Sequence, residues 1–385
     1  MSRIDDLIQQ LCPNGVEFRE LGTVVALRFG ERVTKLKDTG TQYPVYGGGG
    51  ESFRVNKFNR EDEYVVSRFA MSETCVRRVR GKFWMLDSGF TFDPSTNEVL
   101  KDYVAYWLFN SQRAIYACSS QGAQKNLRTD EFRRFRIPVP PLKVQREIVK
   151  VLNLFQSLEA ELEAELEARR RQYAHYRDSL LAFSDSRVRW VTLGELGEVF
   201  RGRRFVKSDY VDVGIDSIHY GEIYTHYGTV ATTVARHVRP ELAGSLRFAQ
   251  PGDVVIAEVG ETVEDVGKAV AWLGTGQVAV HDGCFVLRHQ QNPTYVAYCL
   301  QTSAFHAEKS QYVARAKLKR LSFEGLKRLS IPIPPLDEQE RIVAILDRFD
   351  ALVNDLSIGL PAELTARRKQ YEYYRDRLLT FEEAA

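Results

Sequence analysis

"RFRIPVPPLKVQREIVKVL" (Arg134–Leu152) returns as "RLSIPIPPLDEQERIVAIL" (Arg328–Leu346). From Arg134 to Phe155 against Arg328 to Phe349, 11 of 22 positions are identical, at an offset of 194. A second block, "ARRRQYAHYRDSLLAF" (Ala168–Phe183) against "ARRKQYEYYRDRLLTF" (Ala366–Phe381), shares 11 of 16 at an offset of 198. The offset grows because 12 residues separate the blocks in the first copy and 16 in the second. This is a duplication of whole units, not a short-period solenoid.

Each copy dictates the same local structure. "IPVPPL" and "IPIPPL" cannot be helix interior, because proline lacks the amide hydrogen and clashes with the preceding turn. They read as stiff extended connectors. A long helix follows. In the first copy Ile148, Leu152, Phe155, Leu158, Leu162, Leu166, Tyr173, Tyr176 and Leu180 recur at spacings of three, four and seven, a seam near the coiled-coil period. About forty helical residues would span roughly 60 Å. The second copy repeats the seam with Ile342, Leu346, Phe349, Leu352, Leu356, Leu364, Tyr371, Tyr374 and Leu378, and Gly359 with Pro361 predicts a kink or break in it. A helix packed only on its own globule is the simpler alternative. A stripe this long is buried more economically against its twin, and antiparallel packing would make a rod.

The intervening segments share landmarks rather than sequence. "VEFRELG" (Val16–Gly22) answers "VRWVTLG" (Val188–Gly194), "LDSGF" (Leu86–Phe90) answers "HDGCF" (His281–Phe285), and "YVAYWL" (Tyr103–Leu108) answers "YVAYCL" (Tyr295–Leu300). The last pair reads as a short amphipathic helix. "EYVVSRF", "KFWMLD", "DVVIAEV", "KAVAWLG" and "QVAVH" read as short strands between glycine-rich turns. The expected fold is α+β, with two pseudo-symmetric α+β globules separated by two long helices in an antiparallel coiled coil. The expected segments are 1–136, 137–183, 184–330 and 331–385.

Composition excludes several classes. With 44% hydrophobic and 27% charged residues the chain is an ordinary soluble one. Its five scattered cysteines form no CxxC pair, which argues against a disulfide framework or zinc site. No apolar run is long enough to span a bilayer and "MSRIDDLIQQLC" lacks a signal-peptide core, so the expectation is a cytoplasmic protein with no membrane partner. The net charge of +2 hides local contrast. "CVRRVRGK" (Cys75–Lys82), "RGRRFVK" (Arg201–Lys207) and "ARAKLKRLSFEGLKR" (Ala314–Arg328) are basic, while "SLEAELEAELEA" (Ser157–Ala168) gathers acids in a helix. Basic clusters with interleaved Tyr, Phe and Gly suit phosphate and base-edge contacts. Solvated surface arginine is the competing reading of each cluster.

No motif makes a case for catalysis or for a metal. "YPVYGGGGESF" (Tyr43–Phe53) lacks the Gly-Lys-Ser/Thr ending of a phosphate loop and reads as a glycine-rich hairpin turn or DNA-facing loop. No Asn/Asp-Pro-Pro-Tyr/Phe, dinucleotide fingerprint or HExxH is present. Glu161 and Glu165 lie one turn apart on a solvated helix face, where they support the helix.

The paired "FRIPVPPLKVQREIVKVL" and "LSIPIPPLDEQERIVAIL", each followed by a helix ending "RRRQYAHYRDSLL" or "RRKQYEYYRDRLL", resemble the conserved regions of type I restriction-modification specificity subunits. "LCPNGVEFRELG" and "YPVYGGGG…EYVVSRF…GKFWMLDSGF" resemble that family's target-recognition domains. The resemblance runs nearly the full length. It implies that each globule reads one half of a split asymmetric site in double-stranded DNA, and that the helices set the spacing and dock two methyltransferase subunits. It also implies a motor-nuclease subunit, with S-adenosylmethionine, ATP and magnesium in the partners and no cofactor in this chain. "LEAELEAELEA" is similar to a tetrapeptide repeat of the family's central helix. The first copy departs from the pattern, with Lys143 and Val144 where the second has Asp337 and Glu338. Gln145 and Gln339 are kept.

On residue type, DNA contacts are expected from Tyr46–Gly50 (Tyr46, Gly47 and Gly48 first), Arg54, Lys57, Arg68, Arg77, Arg78 and Arg80. In the second globule they are expected from Arg201, Arg203, Arg204, Lys207, His219, Tyr220, Arg236 and Arg239. Helix pairing or partner contact is expected from Gln145, Ile148, Leu152, Phe155, Leu162, Leu166, Tyr173, Tyr176, Gln339, Ile342, Leu346, Phe349, Leu356, Tyr371 and Tyr374. The alternatives are an enzyme in its own right, a coiled-coil scaffold with no DNA role, and the specificity subunit of a related two-subunit system.

Overall fold

The computed structural model describes residues 3–36, 40–122, 124–183, 188–314, 317–354 and 359–384. The chain divides into two compact units: Met1–Glu161 with Leu364–Ala385, and Leu162–Glu363. The division cuts through a long helix, so each unit combines a globule with half of the helical segments.

In the first unit a six-stranded sheet runs in the order Val25–Phe29, Gly89–Pro94, Arg60–Ser67, Val76–Met85, Tyr43–Tyr46, Glu51–Val55. The second unit has two five-stranded sheets. One is ordered Gly197–Arg201, Cys284–His289, Val254–Ala257, Ala269–Trp272, Val230–Ala231. The other is ordered Tyr210–Val211, Arg236–Val238, Ile215–Ile218, Val278–Val280, Phe248–Ala249. All five runs read as strands are strands.

The repeated segments build a matching core in both units. The proline connectors are strands of two-stranded ribbons: Arg136–Pro138 pairs with Phe18–Glu20, and Ser330–Ile333 with Arg189–Thr192. Above each ribbon lies the helix that contains "YVAY", α1 (Lys101–Asn110) in the first unit. The helix is not amphipathic, in contrast to the expectation from its sequence. Tyr103 through Leu108 are all buried, because the sheet lies on one side and the long helix α2 (Leu142–Leu180) on the other. In the second unit α3 (Pro293–Cys299) is buried in the same way beside α4 (Leu336–Asn354).

Paired tyrosines and a glutamine lock these layers. Tyr103 donates to the Pro138 carbonyl at 3.0 Å and Tyr106 to Asn153 Oδ1 at 2.6 Å. Their counterparts Tyr295 and Tyr298 donate to the Pro332 carbonyl at 2.9 Å and to Asp347 Oδ1 at 2.7 Å. Gln145, fully buried, accepts from the Leu100 amide at 2.8 Å and donates to the carbonyls of Glu98 and Pro140, both at 2.7 Å. Gln339 accepts from the Asn292 amide at 3.0 Å and donates to Gln291 Oε1 and the Pro334 carbonyl, both at 2.8 Å. Both glutamines are thus internal braces of their own globules.

α2 is one continuous helix, whereas the second seam is broken. α4 ends at Asn354 and α5 spans Leu360–Leu378, so the interruption falls where Gly359 and Pro361 predict it. Leu356 lies outside the described residues. The seam does two jobs. Ile148 and Leu152 are buried in a core that they share with Tyr103, Tyr106 and Leu108 of the globule and with Leu378 and Leu379 at the end of α5. Ile342 and Leu346 are equally buried. Farther along, the helices meet each other. In the first unit Phe155 stacks on Tyr374, centroids 5.6 Å apart, and lies 6.2 Å from Tyr371, while Glu159 pairs with Arg368 at 2.7 Å. The partners descend as α2 ascends, so the helices are antiparallel there. In the second unit Tyr176 stacks on Phe349 at 5.5 Å, the repeat-related counterpart of the Phe155–Tyr374 pair. Tyr173 and Leu166 are buried and Leu162 half-buried. Burial and the nearby Asp350 carboxylate raise the Tyr173 phenol well above its ordinary range.

Replacing Gln145 by Leu strands one amide and two carbonyls in a dry core. The expected loss is about 2–4 kcal/mol of first-unit stability, read as a lower urea midpoint. An unchanged midpoint would show that the brace is dispensable.

Candidate nucleic-acid interface

The two globules differ in most side chains but place three loops in one frame. In the first unit Tyr43–Tyr46 runs parallel to the end of Val76–Met85, with Tyr46 opposite Met85. In the second Ile215–Ile218 runs parallel to Val278–Val280, with Ile218 opposite Val280. Past these ends the Leu86 amide donates to the Tyr46 carbonyl at 2.9 Å, and the His281 amide to the Ile218 carbonyl at 3.1 Å. A third segment crosses over them. Glu31 donates its amide to the Met85 carbonyl and Arg203 to the Val280 carbonyl, both at 2.8 Å. The residue before each is glycine of necessity. A Cβ on Gly30 would sit 2.2 Å from the Leu86 oxygen, and one on Gly202 2.2 Å from the Val280 oxygen. "LDSGF" and "HDGCF" are therefore the turns on which both loop clusters are built.

This frame gathers some of the expected residues and scatters others. Gly47 and Gly48 are buried and Gly49 and Gly50 exposed, at the tip of a hairpin. Arg77 points inward, donating to the Gly48 carbonyl at 2.6 Å and to Ser67 Oγ at 2.9 Å, and burial lowers its guanidinium pKa. It supports the glycine tip. Tyr46 packs on Phe83, and Arg68 lies over the rings of Phe29 and Phe69 at 5.1 and 4.7 Å. Arg78 faces the opposite side of the sheet, over Tyr64, since neighbours on a strand alternate. "CVRRVRGK" is thus not one patch. Arg80 is exposed, Lys57 lies past the hairpin's far strand, and Arg54 pairs with Glu51 at 3.0 Å.

In the second unit His219 and Tyr220 occupy the place of Gly47 and Gly48. The His219 ring centroid lies 4.1 Å from Tyr220 and 4.3 Å from His281, and Phe205 packs on His281 at 4.8 Å. Arg203, Arg204 and Lys207 are exposed nearby. Arg236 reaches Glu222 at 3.4 Å, and Arg239, just past the end of the same strand, pairs with Asp209 at 2.8 Å. Arg201 binds Glu258 at 2.7 Å, and Arg320 binds the same carboxylate at 2.6 Å. Glu258 stands where the first unit has Arg68: the Arg68 amide meets the Ser88 carbonyl and the Glu258 amide the Gly283 carbonyl. Burial raises the Glu258 pKa, against the pull of the two arginines. Sequence reasoning missed Glu258, Arg320 and His281. The "HDGCF" landmark was the available signal for His281, whereas Glu258 sits inside an apolar run that reads only as strand.

Burial lowers the pKa of His219 to about 4, and burial also lowers that of His281 below the ordinary imidazole value. Both are neutral hydrogen-bonding rings at pH 7. Among the described residues no group of three His, Cys, Asp or Glu could hold a metal ion, and no helix is long and apolar enough to cross a membrane.

The family model for the type I restriction modification DNA specificity domain matches residues 13–168 and 186–366. The chain is 31% identical over 295 residues to the specificity subunit of the Escherichia coli type I restriction enzyme EcoR124I/EcoR124II, covering 74% of this chain and 72% of that one. It is 27% identical over 350 residues to a putative type I restriction enzyme specificity subunit of Haemophilus influenzae, covering 88% of each. The S subunit of the M. genitalium type I restriction-modification system shares the fold at TM-score 0.56 and 18% identity, over 95% of this chain and 96% of that one. A chain from work on complex assembly and conformational transition of the type I R-M system does so at TM-score 0.61 and 17% identity, over 95% and 98%.

All seven histidines lie at or beyond His175, so the first unit has none. An unfolded histidine titrates near 6.5, whereas folded His219 and His306 titrate at about 4. Between these values the unfolded chain takes up protons that the fold refuses, so stability is lost as pH falls from 6.5 toward 4. Hydrogen-exchange protection at pH 7.5 and pH 5 should therefore fall selectively in the second unit. Equal loss in both units would contradict this.

Proposed function

We propose, from the fact that this chain belongs to the type I restriction-modification DNA specificity family, that it is a non-catalytic adaptor in which each loop cluster reads one half of a bipartite asymmetric DNA site. The observation that carries this reading is the shared frame with exchanged side chains. The same backbone hydrogen bonds hold Tyr46 and Arg68 in one unit, and Ile218 and Glu258 in the other. One scaffold filled two ways suits two different half-sites. Arginine and lysine around each cluster provide the phosphate attraction that every duplex offers, and the loop side chains discriminate bases.

In this reading the paired helices set the distance between the half-sites and dock two methyltransferase subunits, joined for cleavage by motor-nuclease subunits. Methyl transfer with S-adenosylmethionine, and ATP and magnesium chemistry, belong to those partners. The test is the methylated motif of the host genome with and without this gene. A split motif that disappears with the gene is expected, and an unchanged methylome would reject the assignment.

The ruler makes a separate prediction. Four helical residues are about 6 Å of length and roughly 40° of rotation. Deleting Glu163–Leu166 should shorten the unspecified spacer by about one or two base pairs and leave both half-sites unaltered, as read by genome-wide methylation mapping. Altered half-site bases would reject the ruler.

A further inference from the structure

Glu258 is fully buried, yet only one of its carboxylate oxygens is used. Oε1 accepts from Arg201 at 2.7 Å and from Arg320 at 2.6 Å, whereas Oε2, also buried, meets no hydrogen-bond partner. A half-satisfied buried carboxylate is costly to keep and calls for an explanation in function. The two arginines it holds are themselves about half exposed. Arg201 also lies over the Phe285 ring at 5.4 Å, which fixes its plane. Arg320 forms one wall of a pocket of about 300 Å³ shared with Arg204, Phe205, His219, Tyr220 and His281.

The free polar groups of that pocket are mostly donors, apart from the Asp282 carboxylate beside His281. His219 Nδ1 accepts from the Gly221 amide at 3.1 Å, so the neutral ring carries its proton on Nε2. His281 is spent internally, between the Gly283 amide at 3.0 Å and the Phe205 carbonyl at 3.2 Å. The His219 Nε2–H, the Tyr220 hydroxyl and the Arg204 guanidinium are left to meet a ligand. A donor-rich pocket with flat aromatic walls fits an acceptor-rich planar edge. Among base edges in the major groove, guanine alone presents two adjacent acceptors, O6 and N7, for an arginine fork. Phosphate needs only a mobile cation, whereas two parallel hydrogen bonds need a guanidinium whose plane is held.

We propose that this pocket is where the second unit reads a guanine edge, and that Glu258 is the positioning residue that holds Arg320 for it. The proposal rests on the DNA-reading assignment above and names one of its contacts. The test maps methylated sites in hosts expressing the intact complex with wild-type chain, Glu258→Gln or Arg320→Lys. Loss of discrimination at one guanine position in one half-site is expected from both variants, roughly ten- to a hundredfold, with the other half-site unchanged. Glu258→Asp, which keeps the charge, should restore part of it. Should Glu258→Gln fail to fold, Arg320→Lys decides alone, because Arg320 is exposed and its replacement leaves the core intact. An unchanged motif in Arg320→Lys, or equal weakening at every site, overturns the pocket while leaving the DNA-reading assignment standing. A wild-type motif that does not depend on this gene rejects that assignment instead.

Discussion

Everything in this molecule depends on how a long helix is fastened to a globule. The fastening is a buried glutamine just after the prolines, assisted by two tyrosines from a buried helix. Gln145 and Gln339 each tie the first turn of a long helix to the chain entering the "YVAY" helix, and Tyr103 or Tyr295 ties that helix to the proline ribbon. These bonds lie in dry surroundings, where an unmade partner is expensive. They turn two flexible joints, helix to globule and ribbon to globule, into one rigid corner. A corner of this kind can be used twice in one chain without constraining what each globule carries on its far loops.

The loops show what that freedom permits. At one backbone position the first unit has a cation resting on aromatic rings, Arg68 over Phe29 and Phe69. The second has a buried anion held by two cations, Glu258 between Arg201 and Arg320. The local charge logic is inverted while the amide pairings stay the same. The glycine tip of one unit is replaced by a histidine–tyrosine stack in the other. Such exchanges leave the core untouched, because the side chains project beyond the strand ends and Gly30 and Gly202 keep the crossing segment clear of the carbonyls beneath.

The architecture was legible because it rests on period and repetition. Proline placement, the apolar seam and the 194-residue offset are properties of the string itself. The break at Gly359 and Pro361 was readable for the same reason. What the string hid was depth. Ile148 and Leu152 carry the same spacing as Phe155 and yet bury against the globule as well as the end of α5, since periodicity gives a face and not its partner. Arg77 and Arg78 are adjacent letters on opposite faces of a strand. Glu258 looked like a strand residue because its importance comes from Arg201 and Arg320, 57 and 62 residues away. Long-range pairing of this sort has no local signature, so the interface was read as basic clusters and its acidic anchor was missed.

The central claim is that the two loop clusters are equivalent positions facing different halves of one DNA site. Glu31 and Arg203 are equivalent in the frame, both exposed and both donating their amides to the strand end beneath. A photo-crosslinking residue placed at position 31 or at position 203, in the complex assembled on its methylated site, tests the claim directly. The account predicts crosslinks to opposite halves of the site from the two positions. Crosslinks from both to the same half, or from neither to DNA, would contradict it.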